Sequence, residues 1–310
     1  MQNFKKPLTS LFYKSPRSND TRLGEIIAFL PVNLLKKITP SFIIIGHPDD
    51  EGIRLNHGRA GSSKAPKSIR SAFYRLYPGT DKFPQTYDIG DFTSVGSLIK
   101  RQEKALHATS KIFNMGHRLL ALGGGHDHAY SDIGGFLEIF GKYRPLVFNI
   151  DAHLDVRPVI KGPNSGTPFY QLLEKYPGVE LVEIGIQSAA NSLANLSYAR
   201  KKKVRVFNYK QTNNKILSLI KKMPYANRPV FLSIDIDAFS SAFAPGASAA
   251  SPVGLNPHEL LNAMPWLTSH LNIRGLGIYE VSPPLDRDNQ TSKLAAKLMH
   301  SFLFGIKNDI

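Results

Sequence analysis

Three short stretches carry most of the chemistry this sequence could do: "GGGHDH" (123–128), "NIDAHLDVRP" (149–158) and "SIDID" (233–237). Each follows an apolar run, and together they supply His126, Asp151, His153, Asp155, Asp235 and Asp237. On a strand, positions i, i+2 and i+4 share one face, so the spacing predicts that Asp151, His153 and Asp155 converge while the chain stays extended. Asp235 and Asp237 are paired in the same way. Four carboxylates in one pocket would repel and raise one another's pKa values, and a cation resolves that conflict. Oxygen-rich ligation with two imidazoles, in a chain without cysteine, favours Mn2+ over Zn2+. Two divalent ions about 3.5–4 Å apart can share a water, lower its pKa and present hydroxide to an electrophilic carbon.

Taken singly, the stretches say less. A glycine-rich turn after a strand is common, and "GGGHDH" lacks both the lysine and hydroxyl of a P-loop and the spacing of a dinucleotide fingerprint. "SIDID" alone reads equally well as a capped strand end with solvated acids. Their joint occurrence after three separate apolar runs is what points to a metal site.

The elements that must position these residues alternate along the chain. Strands are expected at 42–46, 119–124, 146–151, 181–186, 204–209, 230–237 and 276–282. Helical spacing occupies 64–76, 94–115, 131–142, 167–175, 191–203, 213–222, 257–271 and 289–306. Ser131 is expected to cap the third helix, and Asn256 with Pro257 the seventh. This alternation gives an α/β domain with a mostly parallel sheet covered on both faces. In such sheets functional groups gather beyond the carboxyl ends of the strands. No linker, repeat or composition shift divides the chain, so a single domain over 1–310 is expected, with 1–21 as a poorly ordered or extended N-terminal segment.

Composition narrows the classes. The 310 residues are 42% hydrophobic and 20% charged, with no apolar run of the roughly 18–20 residues a membrane span needs. The N-terminal stretch lacks a continuous apolar core and a small-residue cleavage site, so a cytoplasmic protein without a membrane partner is expected. The net charge of +15 could signal nucleic acid. The only dense basic run is "RKKK" at 200–203, closing a helix where cations meet the C-terminal dipole, and a solvated surface without a nucleic-acid partner is expected.

"GGGH", "DAHLD" and "SIDID", in this order, resemble the signature of the ureohydrolase family of arginases, agmatinases and formimidoylglutamases, from about residue 22 to the C-terminus. The resemblance implies a three-layer αβα sandwich, two Mn2+ per subunit, and hydrolysis of an amidino or guanidino C–N bond by a metal-bridging hydroxide. It implies that His126, Asp151, Asp155 and Asp235 hold one ion, and Asp151, His153, Asp235 and Asp237 the other. Asp155 would hydrogen-bond the hydroxide and relay a proton, and Glu280, in "YEVSP", would receive the cationic amidine. A homo-oligomer is also implied.

Departures within the family are informative. Ser165, in "NSGTPF", stands where arginases and agmatinases carry a histidine, and Ser188 where arginases place an aspartate for the α-amine. "SSAFAPGASA" (240–249) replaces the usual acid-proline step. These stretches, with 50–70, resemble the formimidoylglutamase branch, which hydrolyses N-formimidoyl-L-glutamate to glutamate and formamide in histidine degradation. Such an anionic substrate needs cations beside the metals. Arg157, two residues past Asp155, would point to the same side of a continuing strand and could bind a carboxylate bidentately. Asn56, Arg59 and Ser165 are further substrate-contact candidates. His128 is expected behind the ligands or facing solvent. An agmatinase-like or other guanidino-acid hydrolase, and a metal-retaining homologue without activity, are the alternatives.

Overall fold

Among the described residues, ten strands form one sheet: β1 (Phe4–Lys5), β2 (Ala28–Phe29), β3 (Phe42–Gly46), β4 (Thr86–Phe92), β5 (Arg118–Leu122), β6 (Leu146–Ile150), β7 (Glu180–Ile186), β8 (Arg205–Asn208), β9 (Pro229–Asp235) and β10 (Asn272–Tyr279). They come from a computed structural model describing residues 4–305 apart from 18, 80–82 and 94. The order across the sheet is β1-β4-β3-β5-β10-β9-β6-β7-β8, with β2 also on β4, and every pairing but β1 with β4 is parallel.

The helices are α1 (Leu23–Ile26), α2 (Glu51–Leu55), α3 (Ala65–Phe73), α4 (Leu98–Asn114), α5 (Ala129–Phe140), α6 (Pro168–Lys175), α7 (Leu193–Lys201), α8 (Tyr209–Thr212), α9 (Ile216–Ile220), α10 (Pro257–His270) and α11 (Gln290–Gly305). The period of two in each strand sorts its apolar residues into two cores. Phe42, Ile44, Phe148, Leu232 and Ile234 pack on one face with α3, α9, α10 and α11. Ile43, Ile45, Val147 and Phe231 pack on the other with α4, α5 and α6. This is the expected three-layer αβα sandwich.

Several boundaries move for identifiable reasons. β5 stops at Leu122 because the glycines after it serve close approach. A Cβ on Gly124 would lie 1.9 Å from the Asp49 carbonyl oxygen, and one on Gly123 2.4 Å from the Tyr279 ring. The strand β4, "TYDIGDF", escapes an apolar-run reading because buried Asp88 and left-handed Gly90 (φ 100°) interrupt it. The expected helix at 213–222 is interrupted by Asn214 at φ 60°, leaving α8 and α9. Ser131 does not cap α5. A 3-10 turn over His126–His128 leads into that helix, and the Ser131 hydroxyl donates to the Gln102 carbonyl at 3.0 Å instead. Asn256 does cap α10, accepting from the His258 N–H at 3.0 Å. The N-terminal segment is partly tied down: Phe4 pairs with Phe92 on β4, and Leu11 is buried, whereas residues 1–3 lie outside the described residues.

Candidate metal centre

The central strands β5, β10, β9 and β6 carry the chemistry at their carboxyl ends. The local geometry there is not the expected strand alternation. β6 ends at Ile150, and the Asp151 carboxylate folds over to accept the His153 N–H at 2.7 Å. On the neighbouring β9, in register through Asn149↔Ser233 and Ile150↔Ile234, Asp235 accepts the Asp237 N–H at 2.9 Å. Each side-chain cap closes a turn at its strand end, as aspartate readily does. The two-residue spacing therefore comes from a pair of capped turns and not from the pleat. Asp155 turns back through a left-handed φ of 46°. Asn191 braces the turn, accepting the Leu154 N–H at 2.8 Å and donating to the Ala152 carbonyl at 2.9 Å.

These turns gather the expected residues into two sets of potential ligand atoms, each within 4.8 Å: His126, Asp151, Asp155 and Asp235, and Asp151, His153 and Asp237. In the first, His126 Nδ1 lies 3.0 Å from Asp155 Oδ2, 3.1 Å from Asp151 Oδ2 and 3.2 Å from Asp235 Oδ2. One imidazole nitrogen carries at most one hydrogen, so it cannot satisfy three carboxylates; donors arranged this way fit a shared divalent cation. The other ring nitrogen, Nε2, sits 3.0 Å from Ser233 Oγ, a partner that can hold the tautomer with Nδ1 free to ligate. In the second set, His153 Nδ1 is 3.2 Å from Asp237 Oδ2 and 3.6 Å from Asp151 Oδ1. Asp235 stands outside that set, although the resemblance implies it bridges. One of its oxygens holds the Asp237 N–H and the other faces His126. Asp237 Oδ1 is buried with no hydrogen-bond partner among the described residues.

The electrostatics show how unfavourable this set is without a cation. Burial, then repulsion from Asp237 and Asp151, pushes the Asp235 carboxyl well up. Burial also raises Asp155. Asp151 goes the other way: despite burial, hydrogen bonds from His126 and His153 hold it low. The Asp237 charge, foremost, raises the His153 imidazole. Burial would lower His126, but its three carboxylate neighbours override that and raise it strongly.

The remaining candidates divide. Glu280 is 5% exposed, directly after β10, in a left-handed conformation (φ 65°) that a non-glycine residue rarely adopts. Its carboxylate accepts the His126 backbone N–H at 2.9 Å, and burial raises its pKa to about 8. Arg157 is exposed and no strand carries it. Its Nη1 donates to Asn56 Oδ1 at 2.6 Å, and Asn56 Nδ2 donates to Ser165 Oγ at 3.0 Å. Three of the five candidate substrate contacts thus form one chain of side chains. Arg59 does not join it, because its guanidinium holds the Ser248 and Ala247 carbonyls at 2.9 Å and so pins the 244–249 loop. Ser188 is exposed at the start of a 3-10 turn. His128 is buried, not solvent-facing, and stacks on His47 with ring centroids 4.5 Å apart.

Apolar-run reading misses a buried layer beneath the ligands. Asn149, Ser233 and Glu183 are fully buried on adjacent strands, and Asn149 and Ser233 touch Asp151 and His126 respectively. The available signal was a polar residue inside each apolar run, in "VFNID", "FLSID" and "LVEIG".

Residues 40–305 match the arginase family profile. A formimidoylglutamase of Streptococcus gordonii is 32% identical over 299 residues, covering 91% of this chain and 89% of the relative. The chain belongs to the arginase family. With that membership it is a hydrolase acting on amidino groups. Among solved structures, a Trypanosoma cruzi formiminoglutamase with Mn2+ superposes with a TM-score of 0.82 at 26% identity, covering 92% of this chain and 98% of that one. The formimidoylglutamase of Bacillus subtilis gives a TM-score of 0.82 at 26% identity and 94% coverage of both chains.

Proposed function

We propose that this arginase-family member hydrolyses N-formimidoyl-L-glutamate to L-glutamate and formamide, a step of histidine degradation, with two Mn2+ ions at the centre. His126, Asp151, Asp155 and Asp235 would hold one ion; Asp151, His153 and Asp237, with Asp235 shared, the other. The observation that carries the reading is the convergence of buried carboxylates on His126 Nδ1, in a chain 32% identical to a formimidoylglutamase.

Bound divalent ions supply an activated water at neutral pH. The chain's own groups do the rest. Glu280, raised by burial, is lowered again by a cationic amidine beside it, so ionising the carboxylate and binding substrate favour each other. Arg157, steadied by Asn56, offers a planar guanidinium to a substrate carboxylate, and Ser165 holds Asn56 from behind. Asp155, at the open side of the first set, takes the proton released as water adds to the amidine carbon. It returns that proton to the glutamate nitrogen as the C–N bond breaks. Water is consumed, formamide and glutamate leave, and no covalent enzyme intermediate forms. The proposal includes a single-domain cytoplasmic homo-oligomer with no nucleic-acid or membrane partner. Among the described residues no helix is long and apolar enough to cross a membrane.

The test is a panel of formimidoylglutamate, agmatine, arginine and guanidinobutyrate with Mn2+, read as formamide and urea released. Formamide from the first substrate, at a kcat/KM at least about a hundredfold above any guanidino compound, is expected. Urea release as the dominant activity would overturn the substrate assignment.

A further inference from the structure

One level below the metal-ligating turns, the parallel sheet carries polar side chains where its neighbours are apolar. Glu183 on β7 and Asn149 on β6 are register partners, and both are 0% exposed. Asn149 spends both hydrogens of its amide on acids: one goes to Glu183 Oε2 at 2.8 Å and the other to Asp151 Oδ2 at 3.2 Å. That same Asp151 oxygen faces His126 Nδ1 at 3.1 Å. The two leftover oxygens, Asn149 Oδ1 and Glu183 Oε1, have no hydrogen-bond partner among the described residues.

Such a pair costs stability. A buried carboxyl and amide with unsatisfied oxygens are worse for folding than apolar side chains of similar shape, and replacing both partners of a buried hydrogen bond can be neutral or stabilising. Burial, then the Asp151 charge, pushes the Glu183 carboxyl well above the usual carboxylate range. What the pair accomplishes in return is a fixed direction. With Glu183 accepting one amide hydrogen, Asn149 cannot flip or turn away, and its second N–H is held against one chosen oxygen of the aspartate common to both ligand sets.

We infer that Glu183 and Asn149 are positioning residues for the metal centre, with Glu183 orienting the Asn149 amide and Asn149 orienting Asp151 as a ligand. The inference rests on the metal reading proposed above. Neither residue touches substrate. Partners that orient metal ligands are worth about 10–100-fold in metal affinity when removed.

The distinguishing property is that stability and metal affinity move apart. The double substitution Asn149→Leu with Glu183→Leu should leave the thermal midpoint of the chelated full-length protein unchanged or raised. It should weaken Mn2+ binding, read by the electron paramagnetic resonance of free Mn2+ in equilibrium titrations, by about 10–100-fold. Glu183→Gln keeps an acceptor for the Asn149 amide and should bind Mn2+ within about threefold of wild type, while Glu183→Met should not. These single variants carry the test if the double variant does not fold. Wild-type Mn2+ affinity in the double variant or in Glu183→Met overturns the inference while leaving the metal centre intact. Loss in Glu183→Gln equal to that in Glu183→Met overturns the orienting role. A wild-type protein that binds no Mn2+ sinks this inference and the metal reading together.

Discussion

Asp88 and Asp91 on β4 and the acids at the ends of β6 and β9 are two groups of carboxylates drawn into the same sheet, and they are neutralised differently. In the first, Arg70 from α3 reaches across and donates to Asp88 through Nε at 2.6 Å and Nη2 at 3.0 Å, and to Asp91 through Nη1. Tyr74 also donates to Asp88. A fully buried guanidinium pairs directly with both acids, and Asp91, a quarter exposed, is also solvated, so the cluster has a fixed cationic partner from the chain itself. In the second, among the described residues, Asp151, Asp155, Asp235 and Asp237 have two imidazoles among them and no arginine or lysine ion pair. The contrast separates an acid cluster paired by a buried guanidinium from the one proposed to bind metal. Acids paired with a buried guanidinium hold the fold; acids that converge without one are the ones proposed to take a cation.

The largest effect that could break this contrast is on catalysis. Asp151→Asn should cut kcat/KM by about a thousandfold, since several kcal/mol of metal assistance would be lost, and metal content should fall with it. Normal metal content and activity in this variant would end the assignment. Arg70→Met should do the reverse. Breaking a buried ion pair strands its carboxylates and should cost about 3–5 kcal/mol in denaturant unfolding, with Mn2+ affinity per folded molecule unchanged. Mn2+ at a hundredfold excess over its Kd should stabilise wild type by about 2.7 kcal/mol per site, and Arg70→Met by the same increment. The smallest effect is at the rim: Arg157→Ala should raise KM for formimidoylglutamate about tenfold with kcat nearly unchanged, and an unaltered KM would remove it from the site.

The two clusters also differ in how far the sequence reveals them. The cluster proposed to bind metal was legible because its acids follow long apolar runs, in "LVFNID" and "VFLSID", with His126 after a third. The layer architecture was legible for the same reason: strand and helix periods alternate. The conformation of the ligands was not. A two-residue spacing is compatible with a pleat or with a capped turn, and only the hydrogen bonds from His153 and Asp237 to the preceding aspartates decide between them. The structural cluster was invisible because its counter-charge, Arg70, lies on a helix 18 residues before Asp88, and the acids themselves mask β4 as a strand. The expectation that a continuing strand aims Arg157 does not hold. No strand aims it; Asn56, on the turn after α2, holds it in place.

Equilibrium Mn2+ titration of the chelated protein, with stoichiometry read alongside elemental analysis, tests the central claim most directly. Two ions per chain are predicted in wild type, with fewer than one retained by Asp151→Asn because that residue belongs to both sets. Absence of tight Mn2+ binding in wild type, or two ions still bound without Asp151, would contradict it.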